Sequence, residues 1–282
     1  MTQLSVLEPI EYIVIGHITK DLTAEGSQLG GTATYAALTA NSIGVKVGVV
    51  TSWGCEIPIG PLQEIPIIND QAENSTTFSN IEKRRGRVQF VHNFANSINA
   101  SAIPVNWQNP SIVHLGPVVH EIQPELGKHF PNSLICATPQ GWLRMWDEHG
   151  EVTHNNQLLS KEKLHNIHIA ILSIEDVDGD ENTIEELAGL CPIFVVTEGY
   201  KGSRVYWHGD VRHFNAPKVK EKNPTGAGDI FAAAFFIQYN KTKNPWEAAR
   251  FANNLAAMSV TRSGLDSIPT REEVINAICE VI

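Results

Sequence analysis

Basic residues are scarce in this 282-residue chain, which has 21 lysines and arginines against 31 aspartates and glutamates. The formal net charge of −10 argues against a general binder of nucleic acid or of anionic membranes, since such proteins display basic faces. Any phosphate ligand must therefore be held by a local arrangement of hydrogen-bond donors.

Cysteine is also scarce, and no two cysteines are paired in a C-x-x-C motif. The four positions are Cys55, Cys136, Cys191 and Cys279. This scatter argues against a metal or redox site and favours reduced thiols. No apolar run approaches the ~18 residues of a membrane span, and the N-terminal stretch has no basic segment typical of secretion signals. We therefore expect a soluble, cytoplasmic protein that does not bind membranes.

Several motifs that would define other chemistries are missing. The eleven histidines include no H-E-x-x-H pair, and no G-x-x-x-x-G-K-[ST] phosphate loop occurs. The segment GAGDIF is a poor dinucleotide fingerprint, because Phe231 stands where the last glycine should be. A nicotinamide-dependent oxidoreductase is therefore only a distant alternative.

Short apolar runs followed by polar loops recur along the whole chain. They occupy residues 12–16, 45–51, 111–115, 133–137, 167–174 and 192–197. Such runs are typical of buried parallel strands, and their alternation with helical segments predicts a three-layer α/β/α sheet domain. In open α/β sheets, ligands collect at the carboxyl ends of the strands.

The most informative stretch is NPTGAGDIFAAAFF, from Asn223 to Phe236. Gly226, Ala227 and Gly228 lead into Asp229 and an alanine-rich helix, so that converging backbone N–H groups and the helix N-terminus would form an anion hole. Phosphoryl transfer needs such a hole and a base that takes the proton of the attacking hydroxyl, a role that suits Asp229. The alternative is a simple turn followed by a favourable first-turn acid.

Candidate ligand-binding residues follow two of the predicted strands, 12–16 and 133–137. Asp21 lies in the loop GHITKDL, where it could accept hydrogen bonds from hydroxyls or could be a solvated loop acid. Gly30 and Gly31 open a small-residue helix and would let a ligand approach the backbone closely, or merely cap that helix. Arg144 could bridge phosphate oxygens or stack on nearby tryptophans.

The alternating segment from Thr76 to Phe94 predicts a β-hairpin with a charged tip, KRRGR, at residues 83–87. The charged run alone is typical of a solvated turn.

These motifs together resemble the PfkB, or ribokinase-like, carbohydrate kinases. The resemblance covers nearly the full chain, with VVTEGYKG and PTGAGD as its strongest blocks. It implies one ribokinase-like domain over residues 1–282, with a mostly parallel central sheet and small β-lid segments at about 18–29 and 75–96 that exclude water from the substrate. Because only ~12 residues separate the first strand from the Gly-Gly pair, we expect a reduced lid.

The resemblance also assigns roles to individual residues. Asp229 would be the catalytic base, the amides of residues 226–228 the anion hole, and Arg144 an added positive charge. The substrate would meet Asp21, Gly30, Gly31, Tyr35 and Gln140. The residues bordering ATP would be Thr197, Glu198, Gly199, Gly202, Thr225, Asn253, Ala257 and Gly264.

Some positions depart from the family pattern. Asn223 replaces a frequent Asp, and Tyr35 replaces the Asn that binds pentoses, which argues against ribose as acceptor. Ser173 and Asp176 stand in place of Asn-x-x-Glu, so that support of Mg²⁺ through water would be altered. The combination of GHITKDL, GGTATY, the hairpin and TPQGWLR resembles the myo-inositol kinase branch most.

We therefore expect an ATP- and Mg²⁺-dependent kinase of a small sugar or a cyclitol such as myo-inositol, acting as a monomer or homodimer. Within the family the alternatives are another sugar or a nucleoside, on whose base Tyr35 could stack. From another class, the alternative is a nucleotide-binding sensor without catalysis.

Overall fold

The computed structural model describes residues 7–24, 26–54, 56, 58–83, 86–156, 159 and 161–281. Its centre is a nine-stranded sheet in the order β15-β14-β13-β12-β9-β8-β1-β4-β5, with strands numbered along the chain. These strands are β1 (Tyr12–Ile15), β4 (Val47–Trp53), β5 (Ile67–Gln71), β8 (Ile112–Leu115), β9 (Leu134–Ala137), β12 (Ile169–Ser173), β13 (Ile193–Thr197), β14 (Ser203–Trp207) and β15 (Asp210–Phe214). All pairings are parallel except those of the edge hairpin β14–β15.

The six strands predicted from the sequence are confirmed, each within two residues of its expected bounds. Strand β1 shows why the apolar runs mark them. All four of its residues are buried, and it pairs in parallel with β4 on one side and with β8 on the other. A strand covered on both faces must be apolar throughout, which is the pattern of a parallel sheet.

Helices cover both faces of the main sheet. The larger core cluster packs it against α1 (Thr32–Ile43), α5 (Ala227–Thr242), α6 (Pro245–Ser259) and α7 (Arg271–Val281). The other face holds α3 (Lys161–Leu164) and α4 (Glu181–Ala188), whereas α2 (Gln140–Leu143) follows β9 directly. Small side chains in α5, such as Ala232 and Ala233, are fully buried and let neighbouring helices approach closely.

A second, small sheet has the order β3-β2-β6-β7. Its strands are β2 (Thr19–Thr23), β3 (Gly26–Gly30), β6 (Thr77–Lys83) and β7 (Gly86–Asn93). The predicted hairpin is confirmed as the antiparallel pair β6–β7, and its tip residues Arg84 and Arg85 lie outside the described residues. The short segment before the Gly-Gly pair still provides two strands, so this sheet is larger than the sequence led us to expect.

Hairpin β10 (Arg144–Trp146) and β11 (Val152–His154) lies beside the small sheet. An isolated antiparallel bridge joins Phe90 of β7 to Glu151, just before β11. The loop after β9 therefore connects the main sheet with the small one.

Buried His17 ties together the connections between the two sheets. It stands between β1 and β2, and its Nδ1 lies 2.8 Å from Oγ1 of Thr76, which precedes β6. Its Nε2 lies 2.8 Å from the carbonyl oxygen of Asn96, which follows β7. The histidine thus fixes the places where the chain enters and leaves the small sheet.

Among the described residues, no helix is long and apolar enough to cross a bilayer. Cys136, Cys191 and Cys279 are free thiols, whereas Cys55 lies outside the described residues.

Candidate active site

The loop before α5 has the geometry expected of an anion hole. Gly226 caps the helix in the left-handed conformation, with φ 83°. The N–H of Ala227 turns back to the carbonyl oxygen of Pro224 at 3.1 Å, so this predicted donor is already used. Within the described part of the chain, the N–H groups of Gly226, Gly228 and Asp229 have no recorded acceptor. These three groups at a helix N-terminus can bind an anion.

Asn223 keeps the shape of this loop although the family more often has Asp there. Its Oδ1 accepts a hydrogen bond of 2.8 Å from the N–H of Thr225. An amide oxygen can accept this bond as a carboxylate would. The departure at Asn223 therefore leaves the local turn intact, without adding a negative charge beside the hole.

Asp229 lies in the first turn of α5 and is held by a side chain that the sequence interpretation did not single out. Oγ1 of Thr32 donates a hydrogen bond of 2.7 Å to Asp229 Oδ1. Thr32 in turn accepts one of 3.0 Å from Nε2 of Gln140, and Gln140 Oε1 accepts one of 3.1 Å from Nη2 of Arg144. The only sequence signal for Thr32 was its place after the Gly-Gly pair, at the start of α1.

Burial and charge shape the acid–base properties of this cluster. Burial raises the pKa of Asp229 to about 6, although the Thr32 hydrogen bond and the Arg144 charge oppose the rise. Burial also lowers the pKa of Arg144, opposed by the nearby charges of Asp176, Asp229, Glu121 and Asp21. A carboxylate with a pKa near neutrality is well matched to general-base work.

The small sheet brings Asp21 to the same site. The Asp21 carboxylate lies so close to the Gly30 backbone that a Cβ at position 30 would collide with it. It also accepts a hydrogen bond of 2.9 Å from the hydroxyl of Thr19. The structure thus brings together two of the residues predicted to meet the substrate.

Two further contacts connect the small sheet with the main one. The Arg144 guanidinium lies 5.3 Å from the ring centroid of Phe78, a buried residue of β6. A Cβ built on Gly264, in the loop after α6, would lie 3.3 Å from Oε1 of Gln28 on β3. Phe78 and Asp21 of the small sheet thus lie near Arg144, which also interacts electrostatically with Asp229.

Glu121 is a second residue that sequence interpretation missed. Its buried carboxylate accepts hydrogen bonds from the backbone N–H groups of His17, Val118 and Val119, at 2.8 to 3.1 Å. It thereby fixes the loop in which the Val118 carbonyl accepts a hydrogen bond of 3.0 Å from Arg144 Nη1. No motif surrounds Glu121, so its role is visible only in the fold.

Tyr35 occupies a different place from the predicted one. Its side chain is 1% exposed, and its ring fills the space where a Cβ of Gly226 would lie. It therefore packs behind the anion-hole loop, where it has no open face toward a substrate or a nucleoside base. Gly226 must be glycine both for this contact and for its left-handed backbone.

The loop after β13, predicted to border ATP, is a tight turn around Gly199 and Gly202. Both glycines have positive φ, 58° and 102°, and a Cβ on Gly202 would collide with the Phe214 carbonyl oxygen. Thr197 donates a hydrogen bond of 3.4 Å to the Leu172 carbonyl oxygen. Glu198 pairs with Arg204 at 2.7 Å, and the same guanidinium also pairs with Glu181 at 2.7 Å.

Helix α6 turns a different face outward from the one predicted. Asn253 is buried and donates hydrogen bonds to Ser203 Oγ at 2.9 Å and to the Phe214 carbonyl oxygen at 3.4 Å. Ala257 is buried as well. One position further along, Met258 is 38% exposed and Asn254 is half-buried. Asn253 and Ala257 therefore hold the helix on the sheet, and the open face lies one residue on.

Ser173 and Asp176 form a capping box. The Ser173 N–H donates to Asp176 Oδ2 at 2.8 Å, and the Glu175 N–H donates to Ser173 Oγ at 3.2 Å. The nearby charges of Arg144 and His154 lower the pKa of Asp176, but its burial raises it more. The described residues contain no group of three or more His, Cys, Asp or Glu suited to a metal ion. A Mg²⁺ carried mainly by phosphates and water fits this donor set, since Mg²⁺ needs few protein ligands there.

The comparisons with known proteins lead to sugar and nucleoside kinases. The sequence model of the pfkB family carbohydrate kinases matches residues 164–271. The cytidine kinase of Thermococcus kodakarensis is 24% identical over 273 residues, which cover 86% of this chain and 92% of that protein. A putative sugar kinase of Pyrococcus horikoshii is 26% identical over 281 residues, covering 91% of this chain and 88% of its own.

A solved structure has the same fold. It is a pyrophosphate-dependent kinase in the ribokinase family, complexed with a pyrophosphate analog and myo-inositol, with TM-score 0.76 and 19% identity over 95% of this chain and 100% of its own. The family match and the kinase relatives support a phosphotransferase with an alcohol group as acceptor, and the shared fold confirms the predicted ribokinase-like fold class. Residues 164–271 thus resemble the pfkB family of carbohydrate kinases, as the sequence motifs predict.

Proposed function

We propose that the protein transfers the γ-phosphoryl group of ATP to a hydroxyl of a small sugar or cyclitol. The observation that carries this proposal is the position of Asp229. One oxygen of its carboxylate is held by Thr32, and its N–H belongs to the open donors at the start of α5. A base and an anion hole in one helical turn are the two protein groups that phosphoryl transfer requires.

In the proposed reaction, Asp229 accepts the proton of the acceptor hydroxyl as that oxygen attacks the γ-phosphorus. The new O–P bond forms while the bond to the bridging oxygen of the leaving group breaks, and its electron pair departs with ADP. The N–H groups of Gly226, Gly228 and Asp229 stabilise the equatorial oxygens of the group in flight. When bound with the donor, Mg²⁺ supplies charge neutralisation to the phosphates.

Arg144 has two roles in the proposed reaction. Its positive charge lies near both Asp229 and Asp21, where it favours anionic phosphate at the junction of donor and acceptor. It also rests on Phe78 of the small sheet, so that closure of this sheet over the acceptor and placement of the charge are linked. Exclusion of water there would prevent hydrolysis of the donor.

The acceptor is proposed to be a compact polyol because of the residues that lie near the proposed base. Asp21 can accept hydrogen bonds from hydroxyls, and the Gly30 backbone lies directly beneath it. Tyr35 is buried, so its ring is not accessible for a nucleoside base to stack on. The motif resemblance makes myo-inositol the first acceptor to test. A nucleoside is the second class, because one relative is named a cytidine kinase.

The test is a matrix of donors and acceptors with the purified protein and Mg²⁺. ATP or pyrophosphate is combined with myo-inositol, ribose, fructose, cytidine or adenosine, and phosphorylated products are followed by ³¹P NMR. The proposal expects a phosphomonoester from ATP and a cyclitol or sugar. A product formed only from pyrophosphate would reject the donor, and a product formed only from nucleosides would reject the acceptor class. ATP binding without any product would favour a nucleotide sensor.

A further inference from the structure

We propose that Thr32 is a positioning residue for the base. It donates to Asp229 in a hydrogen-bonded relay, Arg144–Gln140–Thr32–Asp229, that presents Oδ2 of the carboxylate to the acceptor hydroxyl. This inference rests on the proposed function, which it deepens. The relay joins side chains from three separate parts of the chain at the carboxyl edge of the main sheet.

The direction of every bond in the relay is fixed by chemistry. A guanidinium can only donate, so Gln140 Oε1 must face Arg144 and its Nε2 must face Thr32. The Thr32 oxygen accepts from this amide and has a single proton, which it donates to Asp229 Oδ1. The second Arg144 bond, to the Val118 carbonyl oxygen, holds the guanidinium at the head of the relay.

The position of Thr32 is also fixed by packing. Its side chain is fully buried, and its Cγ2 occupies the space where a Cβ of Gly116 would lie. Glycine at position 116, after β8, therefore makes room for this threonine. A side chain locked by contacts on its carbon side and by hydrogen bonds on its oxygen side cannot rotate away from Asp229.

The consequence for Asp229 is geometric as well as electrostatic. Oδ1 is occupied by the Thr32 proton, whereas Oδ2 receives no hydrogen bond recorded among the described residues. The carboxylate thus keeps one oxygen for the acceptor proton. The bond from Thr32 also favours the ionised form, which counters the effect of burial.

Thr32→Val tests the relay because valine keeps the shape and removes the hydroxyl. Thr32→Ser keeps the hydroxyl. Thr39→Val is the matched control, because Thr39 lies on the same helix, is fully buried, and its hydroxyl has no recorded partner among the described residues. Two readouts are used: kcat and KM against pH, and ¹³C NMR titration of the Asp229 carboxyl, assigned by its loss in Asp229→Asn.

The relay predicts that Thr32→Val lowers kcat roughly tenfold with little change in KM and raises the pKa of Asp229. Thr32→Ser restores both, and Thr39→Val changes neither. A Thr32→Val protein whose melting temperature falls while its Asp229 titration and pH profile match the wild type would overturn the inference. If Thr32→Val does not fold, Gln140→Leu takes its place, and we expect it to raise the pKa of Asp229 by a smaller amount. An Asp229 titration that Gln140→Leu leaves unchanged would likewise overturn the inference.

Failure of the proposed function would look different. If the wild-type protein phosphorylates no acceptor, the kinase proposal fails. The NMR titration still decides whether Thr32 controls the carboxyl of Asp229.

Discussion

The Thr32 hydroxyl and the Asp229 carboxylate meet at 2.7 Å across 197 residues of sequence. This contact joins the start of α1, which follows the small sheet, to the start of α5, which carries the anion-hole loop. The two helices pack side by side, so the proposed acceptor-binding and phosphate-binding ends of the site have a fixed relation. Asp229, the proposed base, contacts both ends, since it lies on α5 and accepts a hydrogen bond from Thr32 of α1.

The pH dependence of turnover should report on Asp229. Because its pKa is raised to about 6, the carboxyl is protonated and inactive as a base below that pH. We expect kcat/KM to fall as the pH is lowered through about 6, which a profile from pH 4.5 to 8.5 would measure. A rate that stays flat down to pH 4.5 would show that no group with this pKa limits the reaction.

The two glycines of the loop should respond differently to alanine. Nothing lies within 4 Å of a Cβ on Gly228, so Gly228→Ala should fold as well as the wild type but place a methyl group over the open N–H donors. We expect a loss of activity without a loss of stability. Calorimetry and product formation, measured on the same preparation, would check this separation.

Gly226→Ala is the matched change in the same loop. The new Cβ would collide with the Tyr35 ring, and alanine is strained at a φ of 83°. We therefore expect this variant to lose about 1–3 kcal/mol of unfolding free energy. Equal stability of the two alanine variants would contradict the structure of this loop.

The ionised carboxylate of Asp229 should lower the unfolding free energy at neutral pH. Its folded pKa, about 6, lies above the ordinary value of 3.8, so folding favours its protonated form, and ionisation above pH 6 is penalised in the native state. Asp229→Asn removes this penalty. Since Asp229 as a residue is only half-buried, solvent screens part of this penalty, and we expect a gain of about 1–2 kcal/mol at pH 8.

The sign of this stability difference can be checked by urea unfolding of both proteins at several pH values. The advantage of Asp229→Asn should shrink as the pH falls from 6 to 4, since the wild-type carboxyl then becomes neutral as well. An advantage that grows on acidification would mean that the pKa of Asp229 is lowered in the folded protein.

Several parts of this site could be predicted from the sequence, because their chemistry is local. Gly226, Gly228 and Asp229 lie within four residues of one another, and the apolar runs mark the strands that end beside them. Thr32 could not be predicted, since its partner is remote in sequence.

Other features of the site depend on which face of an element is buried, and a sequence resemblance does not reveal this. Asn253 and Ala257 are buried on α6, so their predicted place beside ATP stays a prediction. Tyr35 was likewise expected at the substrate, although its ring fills space behind Gly226.

A buried polar chain beneath the site should contribute to stability. The Tyr12 hydroxyl lies 2.7 Å from His114 Nδ1, and His114 Nε2 lies 3.0 Å from Thr138 Oγ1. Burial lowers the pKa of His114 to about 3, so the ring is neutral at physiological pH. Tyr12→Phe leaves a buried ring nitrogen without its partner, and we expect a loss of about 1–3 kcal/mol in unfolding free energy.

Tyr200→Phe provides the control for this change, since Tyr200 is 83% exposed. Its unfolding free energy should equal that of the wild type. Equal stability of Tyr12→Phe and Tyr200→Phe would mean that the buried chain adds nothing to the fold.

The central claim is that Asp229 is the base, and the most direct test is the single-turnover rate of phosphoryl transfer by the wild type and by Asp229→Asn. The control is Asp178→Asn, at an exposed left-handed position that asparagine tolerates well. We predict that Asp229→Asn slows the transfer roughly 10²- to 10⁴-fold while the control keeps the full rate. Equal rates for all three proteins would contradict the account.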